Sequence, residues 1–222
     1  MRDWLGRREF PRYPIVVPVL YTIKNLEPVR SGAGWTCNLS EGGTCLELSD
    51  PIDPSTHLSL LLRTDQGRLL MEGRIVWTKQ LGPANGTIQG VAFDRASPDQ
   101  LRALRDLLHR KGMVWRAVIR IPIELPVICH PRGQPRSLHQ GRTENVSRRG
   151  LCLRLHLVVP PETLLEVTLN TAYGHLTAEG MIVRVEPFDA QIPGEPIRHG
   201  FRFTEIRSST AMTLGRVLAE AT

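Results

Sequence analysis

The chain has 222 residues, with 28 basic and 22 acidic side chains giving a formal charge of +6. Hydrophobic residues at 41% and charged residues at 23% exclude a disordered or membrane-embedded protein, and the length allows one large domain or two compact ones. The basic excess favours polyanionic partners such as phosphates, nucleic acid or membrane surfaces, and the absence of any run of about 18 apolar residues excludes a bilayer-spanning helix.

In chain order, Arg8 and Arg12 precede a stretch, Ile15 to Thr22, whose β-branched and apolar content reads as a strand. Trp35 to Leu39, Thr44 to Leu48, Leu58 to Thr64, Arg68 to Trp77 and Ile88 to Phe93 read the same way. Asp65-Gln66-Gly67 supplies a tight hairpin turn. The partial alternation of Thr44 to Leu48, repeated in Leu151 to Leu155, suits a strand with one buried face, with Leu46 and Leu153 toward the core. Ser97-Pro98-Asp99-Gln100 combines an N-cap serine, a first-turn proline and a capping-box glutamine ahead of Leu101, Leu104, Leu107 and Leu108, so a helix follows the strands. Ser208 or Ser209 opens an equivalent stretch carrying Met212, Leu214, Val217 and Leu218.

Sliding the chain against itself shows that this series occurs twice. Arg8, Arg12, Pro14 and Pro18 match Arg116, Arg120, Pro122 and Pro126; Asn38, Ser40, Gly43 and Cys45 match Asn145, Ser147, Gly150 and Cys152. Gly73 to Val76 matches Gly180 to Val183, and Gly90 to Phe93 matches Gly200 to Phe203. A unit of about a hundred residues is too long for a solenoid repeat, so each copy is expected to close on its own core. The boundary falls near Gly112, giving domains of residues 1–112 and 113–222. Six short strands and a terminal helix per copy predict a mainly β protein: two tandem six-stranded antiparallel barrels, each followed by a C-terminal α-helix, since closure removes exposed edges.

The repeated polar residues have a shared chemistry. A planar guanidinium can grip phosphate through two parallel hydrogen bonds and can also meet O6 and N7 of guanine. In N-x-S-x-x-G, Asn and Ser can fix a turn or present an amide and a hydroxyl to a base edge, and glycine lets a flat ring approach the backbone. A plain structural turn competes with the ligand reading, and the two are compatible.

R-x-x-x-R followed by N-x-S-x-x-G, twice, on a predicted six-stranded barrel resembles the PilZ family of cyclic di-GMP receptors. The resemblance implies that Arg8, Arg12, Arg116 and Arg120 wrap the phosphates and guanines of the ligand. It also implies that Asn38, Ser40 and Gly43, with Asn145, Ser147 and Gly150, contact a guanine on the barrel face. Just before the first motif arginine the copies differ, Arg7 against Trp115. Arg7 is expected to add a cationic grip and favour a stacked ligand pair in the first copy, and Trp115 a single molecule in the second.

Other residues read more plainly. Cys45 and Cys152 fit small semi-buried hydrophobes; with no C-x-x-C pair among Cys37, Cys45, Cys129 and Cys152, neither zinc nor a disulfide framework is expected. Trp77 reads as a strand-end core or surface aromatic, with base stacking as the alternative. Cys129-His130 with His139 follows no usual ligand spacing. Reduced thiols and the lack of a signal-peptide apolar core at the start fit a cytoplasmic protein.

These readings together point to a non-enzymatic sensor that takes cyclic di-GMP as ligand, needs no cofactor, and acts by changing its domain arrangement or its binding to an unidentified downstream protein. A homodimer is compatible with this. The alternatives are a ligand-independent interaction adaptor and, less favoured for want of aromatic platforms, a basic nucleic-acid-binding protein. No Ser-His-Asp, paired-carboxylate or phosphate-loop constellation suggests an enzyme.

Overall fold

The structure, a computed structural model, describes residues 9–24, 28–82, 86–112, 117–134, 137–187 and 190–221. It divides into two compact units, one made chiefly of residues up to Ala117 and the other chiefly of residues from Val118 onward.

In the first unit, β1 (Pro18–Ile23), β2 (Ser31–Ser40), β3 (Gly43–Leu48), β4 (His57–Thr64), β5 (Gly67–Gln80) and β6 (Thr87–Phe93) close into a barrel in the order β1-β2-β3-β6-β5-β4. The antiparallel β1–β4 ladder seals it. Alternate residues fill the interior: Leu58, Leu60 and Leu62 of β4 are fully buried, as are Leu46 and Leu48 of β3. This is the period-two pattern of a one-faced strand, and it confirms Leu46 as a core residue.

Helix α1 (Pro98–Gly112) follows. Its start is the capping box expected from sequence: the Gln100 N–H donates to Ser97 Oγ at 3.2 Å and the Ser97 N–H donates to Gln100 Oε1 at 2.7 Å. Asp99 in the first turn and His109, Arg110 and Lys111 in the last turn complement the helix dipole.

The second unit repeats the plan. β8 (Pro126–Pro131), β9 (His139–Ser147), β10 (Gly150–Leu155), β11 (Leu164–Thr171), β12 (Gly174–Val185) and β13 (Ile197–Glu205) form a ring closed by the β9–β10 ladder. The two-residue β7 (Ile121–Pro122) adds to β9. Helix α2 (Ser208–Glu220) buries Ala211, Met212, Leu214, Gly215, Val217, Leu218 and Ala219. Unlike α1 it has no side-chain cap: Arg207 holds the N-cap position and Ser208 is already helical. Wider apolar burial along α2 takes the place of the missing cap.

The first strand begins later than its composition predicts. Ile15 and Val17 are fully buried, but Pro14 has no N–H to give to a ladder and the backbone here finds its partner in a side chain. The Val17 N–H donates to Thr36 Oγ1 at 2.9 Å and Thr36 Oγ1 donates to the Ile15 carbonyl at 2.8 Å. The second copy does the same, with Leu125 N–H donating to Thr143 Oγ1 at 2.9 Å and Thr143 Oγ1 donating to Ile123 O. A buried threonine on the second strand thus latches each arginine-bearing segment to its barrel.

A second duplicated device sits behind the last strand. Gln89 accepts the Ile52 N–H at 3.1 Å and donates to the Asp50 carbonyl at 2.8 Å. At the matching place His199 Nε2 accepts the Val159 N–H at 3.0 Å, and its Nδ1 lies 2.9 Å from the Ile197 carbonyl. That arrangement requires the neutral Nδ1–H tautomer.

Candidate functional site

Each motif face is built by four features that recur in the two copies. The first is the arginine segment. Tyr13 pairs with Leu39, exchanging both backbone hydrogen bonds at 2.9 Å, and the matching Ile121 pairs with Val146. The segment therefore runs antiparallel to the second strand, which brings Arg12 and Arg120 to the end of that strand where the N-x-S motif lies. Phe10 seats the first copy's segment, its ring packed on Gly42 so closely that a Cβ there would overlap it.

The second feature is a β-bulge. In β2 the pairing slips between Thr36 and Asn38, leaving Cys37 as the extra residue opposite β3; in β9 the matching extra residue is Glu144. A bulge re-aims the side chains beside it. Here those are Asn38 and Asn145, both half-buried. The exposed Arg120 guanidinium donates to Asn145 Oδ1 at 3.1 Å, so arginine and asparagine of the second motif share one side of the barrel.

The third feature is the turn. Ser40 Oγ donates to the Gly43 carbonyl at 3.0 Å and Ser147 Oγ to the Gly150 carbonyl at 2.9 Å. Both serines are buried, and each hydroxyl proton serves its own turn. Gly43 and Gly150 are dictated by packing: a Cβ would fall on the carbonyl oxygens of Val91 and Phe201 respectively.

The fourth feature is another bulge, on the fifth strand. Pairing slips between Ile75 and Trp77 in β5 and between Ile182 and Arg184 in β12. Val76 and Val183 consequently project outward and stay exposed. The Trp77 indole lies directly on Gly90, whereas Gly200 meets only the Cβ and backbone of Arg184 and a Val183 methyl at ordinary contact distance.

In the first copy these features enclose a shallow cavity of about 240 Å³ lined by Arg12, Ser40, Gly43, Cys45, Val76 and Trp77 among others. Cation, hydroxyl-bearing turn and flat apolar surface therefore meet in one place. Trp77 and Val76 line this cavity; sequence reasoning gave Trp77 base stacking only as the alternative to a plain aromatic and did not single out Val76. The signal was available in the shared Gly-x-x-Val block of β5 and β12, but only the strand pairing shows which residue it turns outward.

The second copy is more strongly charged. Arg198 bonds Glu144 at 2.6 Å and Glu186 at 3.1 Å, and these partners hold its guanidinium even more firmly protonated than usual. Cys152 sits in this setting with its thiol pKa raised by burial and by the Glu144 carboxylate. Arg7, Arg8, Trp115 and Arg116 lie outside the described residues. The structure thus brings together Arg12, Ser40 and Gly43 at one face, and Arg120 with Asn145 at the other. Among the described residues no group of histidine, cysteine and acidic side chains could hold a metal ion, and no helix is long and apolar enough to cross a membrane.

Among solved structures, the chain is similar to the Bacillus subtilis inhibitor of motility, MotI/DgrA, at 10% identity and TM-score 0.39, over 91% of this chain and 93% of that one. It is similar to the Borreliella burgdorferi PlzA protein in complex with c-di-GMP at 12% identity and TM-score 0.39, over 90% and 86%. The PilZ domain with c-di-GMP of YcgR from Escherichia coli matches at 18% identity and TM-score 0.39, over 47% of this chain and 90% of that one. No curated protein matches the chain in sequence. The family model for the PilZ domain matches twice, over residues 6–110 and 115–220. With a duplicated motif set on two closed six-stranded barrels, this chain belongs to the PilZ domain family, with two such domains in tandem.

Proposed function

We propose that this chain is a non-enzymatic receptor for cyclic di-GMP whose ligand-bound form changes the arrangement of its domains or its contact with a downstream protein. The supporting observation is the meeting of Arg120 with the Asn145 amide oxygen at 3.1 Å, matched in the first copy by a cavity that Arg12 and the Ser40–Gly43 turn line together. A guanine dinucleotide needs both parts: guanidinium groups for its phosphates and for O6 and N7, and a flat surface with polar edges for the base.

Arg12 and Arg120 are assigned to phosphate and guanine edge, Asn38 and Asn145 to the base, and Gly43 and Gly150 to the close approach of the ring. Arg7, Arg8 and Arg116 complete the arginine sets. Ser40 and Ser147 act through the turn they hold, Ser147 Oγ also accepting the Arg149 N–H at 3.4 Å. Trp77 offers the stacking surface in the first copy, and Arg184 a planar cation in its place in the second.

A ligand bridging the arginine side chains and the barrel face ties the already paired segments more firmly to the barrels, a local ordering of the kind that switches many signalling proteins. Calorimetric titration of the full chain with cyclic di-GMP tests binding, and small-angle scattering at saturation tests the rearrangement. Saturable heat with a changed profile supports the proposal; no heat defeats the receptor reading, and heat with an unaltered profile defeats the domain rearrangement and leaves the altered contact with a downstream protein as the output.

A further inference from the structure

The two motif faces carry a cysteine at the same strand position, Cys45 and Cys152, with different neighbours across the ladder. In the second copy the bulge residue is Glu144; in the first it is Cys37. A bulge sets two residues of one strand against one of the other, so Cys37 and Asn38 both stand opposite Cys45. The register alone therefore sets the two thiols on neighbouring strands at one level of the ladder. Cys37 is half-buried and Cys45 forms part of the cavity lining beside Arg12.

We propose that Cys37 and Cys45 are a peroxide-responsive dithiol pair, and that their oxidation to a disulfide weakens ligand binding at the first motif face; the second half rests on the receptor reading above.

The surroundings select this pair among the four thiols. Cys45 is held below the usual thiol range, first by the hydrogen bond from Cys37 and then, against burial, by the nearby Arg12 charge. Cys129, fully buried in apolar surroundings, is pushed up to about 11, and Cys152 is raised by burial and Glu144. The thiolate is the reactive form, so Cys45 reacts first. Its sulfur attacks one peroxide oxygen, the O–O bond breaks, and a sulfenic acid forms while the departing hydroxide takes up the proton Cys45 lost. The Cys37 sulfur then attacks the sulfenic sulfur, the S–O bond breaks, and the Cys37 proton leaves with the oxygen as water. For hydrogen peroxide, two thiols and one peroxide give one disulfide and two waters. Two electrons pass from sulfur to oxygen.

Closure has a mechanical consequence. Residues opposite one another on paired strands have Cβ atoms roughly 5 Å apart, whereas a disulfide needs about 3.8 Å, so the bulge is drawn in by about 1 Å. Asn38 is the next residue along and moves with it, away from the placement the ligand requires.

The test uses the full chain carrying Arg120→Ala, so that the first site alone reports. Reduced and peroxide-treated samples are digested without reductant for mass mapping and titrated in parallel with cyclic di-GMP. The expected result is a linked Cys37–Cys45 peptide pair and an affinity lowered by about tenfold, the scale of one lost hydrogen bond, restored by dithiothreitol. Cys37→Ser should keep its affinity under peroxide. Unlinked Cys37 and Cys45 peptides after treatment overturn the pairing, and linked peptides with unchanged affinity overturn the gating. A reduced protein that gives no heat defeats the receptor reading instead, and the peptide map then still decides the pairing.

Discussion

Replacing Thr36 with valine keeps the shape of the side chain and removes its oxygen, and with it the latch that ties the arginine segment to the first barrel. Thr36 is 1% exposed, so water cannot substitute for it. The Val17 N–H loses its acceptor and the Ile15 carbonyl its donor, and each buried group left unsatisfied costs about 1–3 kcal/mol. The two sum to roughly 2–6 kcal/mol, and about 1–5 kcal/mol remains once the added apolar contact of a methyl group, about 0.8 kcal/mol, is set against them. Thr36→Ser keeps both bonds and loses only that methyl, so it should cost about 1 kcal/mol. Urea unfolding followed by tryptophan emission measures both, because Trp35 is fully buried beside the latch. Thr36→Val within about 0.5 kcal/mol of the parent, a change typical of an inert surface site, would refute the reasoning.

Gly43→Ala forces a methyl onto the Val91 carbonyl oxygen across the β3–β6 ladder, where backbone cannot yield; a loss of about 1–3 kcal/mol is expected in denaturant unfolding. His199 is kept neutral by burial, which outweighs the Ile197 carbonyl and the Glu186 charge, so its folded pKa lies below the unfolded 6.5. The unfolded chain then takes up the proton first as pH falls, so the stability this residue contributes is complete above that value and declines below it. His199→Gln, which copies Gln89 of the first barrel, should remove this acid sensitivity from the second domain's thermal transition, and an unchanged pH dependence would count against the assignment. Trp77→Ala removes the flat wall of the first cavity; a stacked base is worth about 1–3 kcal/mol, so calorimetry should show the first site weakened by at least about fivefold with the second unaffected.

Most of the architecture was legible because it depends on local and repeated signals. The duplicated blocks, the one-faced pattern of Thr44 to Leu48 and the box at Ser97 and Gln100 are written in neighbouring residues, and the barrels and α1 follow from them. What escaped depends on partners far along the chain. Thr36 reads as one more β-former, and nothing near it in sequence announces that its hydroxyl serves Ile15 and Val17. A bulge adds a single residue, too little to disturb a period of two, so the outward turn of Asn38, Val76 and Trp77 could not be read ahead of the pairing. The same slip explains Cys37: sequence places it eight residues from Cys45, and only the register sets them face to face. Ser40 and Ser147 show the reverse case, where the motif was visible but its first duty, holding the turn carbonyl, depends on geometry.

On each barrel, arginine and the N-x-S-x-x-G corner are proposed to hold cyclic di-GMP between them. Calorimetric titration of the reduced full chain and of Arg12→Ala and Arg120→Ala with cyclic di-GMP tests it most directly. Each substitution should abolish binding at its own barrel and leave the other intact, since the guanidinium bonds to phosphate are charge-assisted. Equal binding by all three proteins, or none by the parent, would contradict it.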